Sequence, residues 1–314
     1  MNLSTRLKYL LVEPDLRRFD RMLRWYRQPG PDVLGWHDSS WHFIAREDTD
    51  RRMTGVMIAE QLDVPMQWIG SGGYQPGIYQ PFARALVRQP HHPRVVVFPV
   101  NLPRCTAVQW FRRPDLRFDA AIAVMDRWVR RPRPLVWVRP RDFPSAADDA
   151  AYEALPSPSR FSEKQLVRDF VAVKHIRPTT DEEVRQRQAE IFAFHFGHPV
   201  DPGHERLRQL ADTVTTLEGA GIRCVTYATP INVEAGDELL GPAFRPHVAA
   251  HVAAAQQVLA DAGARTELVD WHDALPRDVF FHRYYAAEHL KEDGRRWVAD
   301  RVSDLIRAEL KATS

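Results

Sequence analysis

Apolar residues recur along this chain in two modes, at helical spacing and in short uninterrupted runs. Leu10, Phe19, Leu23 and Tyr26 follow helical spacing and predict a helical lead-in over residues 1 to 30, stopped by Pro29-Gly30. A short apolar piece, Val33-Leu34, then enters Gly35-Trp36-His37-Asp38-Ser39-Ser40. From Thr49 to Leu62 the positions Met53, Val56, Met57, Ile58 and Leu62 suit a helix, with Glu47, Asp48 and Asp50 expected at its positive N-terminal end. Met66 to Ile69 predicts a brief strand, followed by the loop Gly70-Ser71-Gly72-Gly73 and a helix through Phe82 to Arg88. Arg94 to Val100 is β-branched and continuous, the mark of a strand buried on both faces of a parallel sheet, and it runs directly into Asn101.

Ala120 to Trp128 again reads as helix, and residues 130 to 180 are irregular and Pro-rich. Thr180 is a good N-cap and Glu183 completes a capping box for a helix to about Phe196. A helix over His204 to Leu217, a strand over Arg223 to Thr229, a helix over Phe244 to Ala262 and a strand over Thr266 to Val269 follow. A loop from Asp270 to Glu288 leads to a final helix from about Lys291 to Leu310. This alternation predicts a three-layer α/β/α fold around a central, mostly parallel sheet, with functional groups at the carboxyl ends of the strands. The expected organisation is one α/β domain over residues 1 to 314, carrying a helical, Pro-rich insertion over 130 to 200. That insertion is far longer than a βα connection, which suits a lid, a dimer arm or a donor platform.

Composition narrows the class. The 314 residues carry 43 Lys+Arg against 41 Asp+Glu, and this near balance gives no global argument for nucleic acid. Apolar runs fall far short of the roughly 18 residues of a membrane span, and the run Tyr9 to Val12 is too short for the core of a signal peptide, so a cytoplasmic location is expected. Cys105 and Cys224 are the only cysteines and read as buried thiols, which excludes a disulfide scaffold. The glycines of GSGG lack phosphate-loop spacing and no GxGxxG occurs, so no cofactor is expected. The pairs His91-His92 and His195/His198 have no nearby third ligand at metal spacing, so no metal is expected either. One local cluster stands out: Arg127, Arg130, Arg131, Arg133, Arg139 and Arg141, with Trp128 and Trp137 interleaved. It reads as a solvated helix end and loop, or as a grip for the phosphates of a carrier- or tRNA-linked donor through Arg130, Arg131 and Arg133.

The chemistry gathers in four short segments: Asp38-Ser39 after the first strand, Gly72-Gly73 after the second, Asn101 after the third, and Glu288-His289 before the last helix. Acyl transfer through a covalent intermediate needs a nucleophilic hydroxyl, a base and donors aimed at the developing oxyanion, and these segments supply all three. In content and order, GWHDSS, GSGGYQP, VVVFPVN and YYAAEHLKEDGRRWVAD resemble the four blocks of the SGNH (GDSL-like) hydrolases and acyltransferases, over about residues 33 to 310. The resemblance implies Ser39 as nucleophile and His289 as base. It implies an oxyanion hole made by the backbone N–H groups of Ser39 and Gly73 and the side-chain amide of Asn101.

The sequence departs from that family pattern twice. His37 stands where Gly usually precedes Asp, and Ala286 stands where an Asp usually lies three residues before the His. The acid that orients His289 is then Glu288 or Asp278, or the site is a Ser-His dyad helped by a carbonyl. Asp38 is expected to bond the backbone around Ser39, and His37 and His42 to pack or to line the pocket. Trp36, Trp41, Tyr74 and Trp110 suit either a partly aromatic pocket wall or the core. Three functions follow. The first is a serine esterase or deacylase acting on a small acylated sugar, lipid or secondary metabolite. The second is an acyltransferase passing an acyl or aminoacyl group from a thioester, ester or aminoacyl-tRNA to a hydroxyl or amine. The third is a non-catalytic carbohydrate or acyl-ligand binder.

Overall fold

The computed structural model of the protein describes residues 3–107, 116–131, 146–170, 179–281 and 288–312. Its strands are β1 (Val33–His37), β2 (Met66–Gly70), β3 (Val95–Val100), β4 (Arg223–Ala228) and β5 (Leu268–Asp270). Its helices are α1 (Leu3–Trp25), α2 (Ser39–His42), α3 (Thr54–Gln61), α4 (Pro76–Leu86), α5 (Leu116–Arg130), α6 (Ala146–Glu153), α7 (Asp181–Phe196), α8 (Glu205–Gly219), α9 (Val233–Leu240), α10 (Phe244–Asp261) and α11 (Glu292–Lys311).

The strands form one sheet in the order β2-β1-β3-β4-β5, and every neighbouring pair is parallel. Because successive side chains on a strand point to opposite faces, the continuous apolar runs bury both. Leu34, Trp36, Val96, Phe98 and Val100 pack with Phe19 of α1, Phe82 of α4, Met125 of α5, Val214 of α8 and Leu259 of α10. Val33, Val95, Val97, Val225 and Tyr227 pack with Ile58 of α3 and with Val302 and Ile306 of α11. The fold is therefore the three-layer α/β/α arrangement expected from the alternation. The strand order places β2 on one side of β1 and β3 on the other, so the topological switch point lies between β1 and β3. Open α/β sheets hold their ligands in the crevice at the carboxyl ends of such a pair.

Two local differences from the sequence reading have physical causes. Asp48 and Asp50 do not cap a helix at Thr49: α3 begins at Thr54 behind Met53, which makes no side-chain cap, and the two carboxylates are engaged by arginines. Helix α9 lies in what reads as the loop after β4, and Asn232 caps it by accepting from Ala235 N at 3.1 Å. In the 130–200 stretch, α6 is a helix within what reads as irregular, and α7 is the helix the sequence predicts. The Thr180 capping box of α7 is formed, with Thr180 Oγ1 accepting from Glu183 N at 3.2 Å and the Glu183 carboxylate accepting from Thr180 N at 3.2 Å. Phe192 and Phe196 of α7 pack on Phe244 and Val248 of α10, which fastens that end of the stretch to the helical layer. No described helix is long and apolar enough to cross a membrane.

Candidate active site

Strand β1 delivers the chain to Asp38, whose extended backbone ends the strand and whose side chain caps α2. Asp38 Oδ1 accepts from Ser40 N at 2.8 Å and from Ser40 Oγ at 2.6 Å, and Asn101 Nδ2 lies 3.5 Å from its Oδ2. This buried carboxylate is thus committed to shaping the turn that presents Ser39. His37 is accommodated next to that turn by its register partner on β2, Gly70: a Cβ there would fall 2.5 Å from His37 Cγ. The His37 ring stacks on Trp41 with centroids 5.8 Å apart, and its Nδ1–H donates to Asp38 O at 2.9 Å. Burial lowers its pKa to about 4, so it packs as a neutral ring.

The glycine loop after β2 comes next to the nucleophile. A Cβ on Gly72 would stand 3.9 Å from Ser39 Cβ, and Gly73 takes φ 85°, a backbone region that glycine occupies without cost. Tyr74 fixes the far side of this loop to α1 by donating its hydroxyl to Asp15 Oδ1 at 2.9 Å. Asn101 follows β3 directly, and its carbonyl accepts from Cys105 N at 2.8 Å.

The last segment enters from outside the sheet. Glu288 is 1% exposed, and its Oε1 accepts the Ser39 hydroxyl at 3.1 Å. His289 Nε2 lies 3.5 Å from that same oxygen, and the His289 ring stacks face to face on Phe43 with centroids 4.0 Å apart. The backbone here is extended: Phe281 N donates to His289 O at 2.8 Å, Lys291 N donates to Val279 O at 2.8 Å, and Phe280 bridges Leu290. Just beyond stands Arg295, fully buried, which ion-pairs with Asp48 through Nη1 and donates to Asp50 O at 2.5 Å, Arg52 O at 3.2 Å and Leu290 O at 3.3 Å. Glu292 Oε2 accepts from Thr49 N, Thr49 Oγ1 and Asp50 N, each at 2.8 Å. These bonds clasp the loop that follows α2 to the segment that follows Glu288-His289.

Ser39, Gly72, Gly73, Asn101, Glu288 and His289 line one cleft of about 180 Å³, so the ends of β1, β2 and β3 and the segment before α11 converge there. Tyr74, Gln75 and Cys105 line it too; sequence reading does not assign the last two to the site, although Gln75 lies two residues past the glycine loop. The Cys105 thiol is pushed up to about 12 by burial and lines the cleft as a neutral group. Trp36 and Trp41 belong to the cores on the two faces of the sheet. Asp278 is not among the cleft residues; its carbonyl accepts from Lys291 Nζ at 2.9 Å. Arg130 and Arg131 are exposed at the end of α5, away from the cleft lining. Trp110, Arg133, Trp137, Arg139, Arg141 and Ala286 lie outside the described residues.

His91 and His92 are exposed, whereas His195 and His198 are buried. His198 packs with His251, ring centroids 4.8 Å apart, and His251 with His247 at the same separation. His251 Nε2 donates to His198 O at 3.0 Å, His198 Nε2 hydrogen-bonds Thr106 Oγ1, and Thr106 Oγ1 donates to Pro103 O at 2.6 Å. Burial, reinforced by neighbouring histidines, holds His198 well below its ordinary pKa and His251 at about 3. These neutral rings therefore steady the turn after Asn101. Among the described residues no group of three or more His, Cys, Asp or Glu is arranged to hold a metal ion.

No protein-family model and no curated protein matches the chain. Among solved structures, the native aryl esterase of M. smegmatis aligns over 88% of this chain and 98% of its own, at 10% identity and a TM-score of 0.35. A likeness that remote carries no weight for the chemistry, which stands on the residues of the cleft.

Proposed function

We propose that the protein is a serine esterase or deacylase that works through an acyl-enzyme on Ser39. The observation that carries this reading is the hydrogen bond from Ser39 Oγ to Glu288 Oε1, inside a cleft that also holds Gly73, Asn101 and His289. A hydroxyl is a weak nucleophile until a neighbouring group takes its proton, and the Glu288/His289 pair is the group within reach. The backbone N–H groups of Ser39 and Gly73 and the Asn101 amide supply donors for the oxyanion. The Asn101 contact to Asp38, at 3.5 Å, is long enough to be exchanged for that oxyanion. A cleft of about 180 Å³ suits a short acyl group carried on a small sugar, lipid or secondary metabolite. An acyltransferase of the same fold would use the same residues and differ only in passing the acyl group to a hydroxyl or amine. No step in either course calls for a cofactor.

Intact-mass spectrometry after exposure to a fluorophosphonate tests the reading. A single adduct on Ser39 is expected, absent in Ser39→Ala, and the substitution should lower ester turnover by roughly 10⁴-fold or more while leaving thermal unfolding unchanged. A wild-type protein that takes no label, or a Ser39→Ala variant that remains active, removes the serine mechanism.

A further inference from the structure

Three groups meet at the nucleophile in an order the family resemblance does not imply. The Ser39 hydroxyl donates to Glu288 Oε1 at 3.1 Å, and His289 Nε2 stands 3.5 Å from the same oxygen. The carboxylate, rather than the imidazole, occupies the middle. Building on the acyl-enzyme reading above, we infer that Glu288 is the base that takes the Ser39 proton, with His289 a positioning residue that holds the Glu288 carboxylate.

The local fold supports this order. Residues 288 to 291 run extended beside 279 to 281, held by the Phe281 N to His289 O and Lys291 N to Val279 O bonds. Both side chains reach the cleft, but Glu288 is 1% exposed and bonded to Ser39, while the His289 side chain is 18% exposed and lies flat on Phe43 with Nε2 behind the carboxylate. Swinging His289 in to meet Ser39 would break that stack and displace the carboxylate already bonded there. Asp38 is the other carboxylate in the cleft, but its two oxygens face Ser40 and Asn101. Cys105 stays a neutral thiol, its pKa pushed up to about 12 by burial.

The proton inventory closes with Glu288 alone. As Ser39 Oγ bonds to the acyl carbon, the Oγ–H proton passes to Glu288 Oε1 and the carbonyl π pair moves to oxygen. When the intermediate collapses, the carbonyl re-forms, the bond to the leaving alkoxide breaks, and that alkoxide takes the proton from Glu288. Water then attacks the acyl carbon and gives its proton to Glu288. The second collapse breaks the acyl bond to Ser39 Oγ, which recovers the proton. Throughout, His289 Nε2, 3.5 Å from Oε1, stands against the carboxylate and keeps it aimed at the hydroxyl.

The fluorophosphonate inactivation rate of Ser39 measures the first of these steps directly. Glu288→Gln should slow it on the order of 10³-fold, the scale of a lost general base, and His289→Gln by only about tenfold, the scale of one polar contact. Both substitutions are close in shape, and near-ultraviolet circular dichroism separates misfolding from lost chemistry. In His289→Gln the acid limb of the kcat/KM pH profile should remain, whereas Glu288→Asp should keep a limb at a reduced rate. A His289→Gln loss equal to or larger than that of Glu288→Gln overturns the assignment and restores the histidine as base. A wild-type protein that Ser39 labelling never reaches fails differently, since it removes the nucleophile and the acyl-enzyme reading with it.

Discussion

Ser39 and Asn101 reach the cleft from the ends of β1 and β3, hydrogen-bonded neighbours whose residues are all buried, whereas Glu288 and His289 reach it from a segment outside the sheet. The first pair inherits its position from backbone pairing and apolar packing, forces that many residues share. The second depends on a few directional contacts: Arg295 on Asp48 and on the carbonyls of Asp50, Arg52 and Leu290, Glu292 on Thr49 and Asp50, and Phe43 on His289. A single substitution should therefore damage the second region far more than the first. The nucleophile is built on the more redundant half of the molecule.

The largest effect should follow from removing Arg295. Arg295→Met keeps the stem but leaves Asp48, 3% exposed at its side chain, as a buried charge without its ion pair. Breaking a buried pair from one side costs about 3–5 kcal/mol, enough to consume much of a domain's net stability. Urea unfolding should show the midpoint falling at constant slope, and Ser39 labelling should slow as the Glu288 segment loses its clasp. A loss below about 1 kcal/mol, the scale of an exposed pair, would erase the distinction between the two regions.

This contrast also decides what was legible in the sequence. The sheet half was readable because its signals are local: the β-branched run ending at Asn101, the glycine loop before α4, and Thr180 with Glu183 ahead of α7. The clasp was not, because Asp48 and Arg295 are 247 residues apart and nothing near either names its partner. Local rules even misled there, since carboxylates ahead of an apolar-periodic stretch read as helix caps until a distant arginine claims them. The histidines behaved alike: the sequence shows His198 far from His247 and His251, and only packing of α10 against the end of α7 makes them one cluster. Glu288 was visible as a carboxylate beside His289, but which of the two adjacent side chains bonds Ser39 depends on the pairing of 279–281 with 288–291.

A smaller effect per step should appear on titration, and it strikes the opposite region. His37 beside the nucleophile turn and the His198/His251 pair behind the Asn101 turn are buried and held neutral, His37 at about 4 and His251 at about 3. Their unfolded counterparts protonate near 6.5, so between that value and the folded pKa the unfolded chain binds the extra protons. Stability is then complete above about pH 6.5 and falls as pH drops, by about 1.4 kcal/mol per pH unit for each such histidine. Glu292 of the clasp is held below its usual range by its bonds to Asp50 and Thr49, so its charge survives further into acid. Hydrogen exchange at pH 4.5 against pH 7.5 should show the turns after β1 and β3 opening before residues 290–296. Equal protection at both pH values would mean that the buried histidines are not the acid-sensitive element.

The smallest expected effect is none, and it concerns a part of the chain that neither region uses. Arg130 and Arg131 end α5 on the exposed surface and are absent from the cleft lining, so replacing both with Gln should leave hydrolysis of a p-nitrophenyl acyl ester within about twofold of wild type, the margin that surface substitutions usually keep. The same variant separates hydrolysis from transfer. If the acyl group arrives on a nucleic-acid-linked donor held by these arginines, the apparent Kd for that donor should rise in the variant. It should also rise with salt for the wild type, because each lost phosphate contact removes a counterion release. If water is the acceptor and the donor is a small neutral ester, neither salt nor the substitution should matter, and added amines should divert no product. Ester cleavage that collapses in the double variant would tie the end of α5 to the cleft itself, and the division into a sheet-held half and a clasp-held half would need a third support.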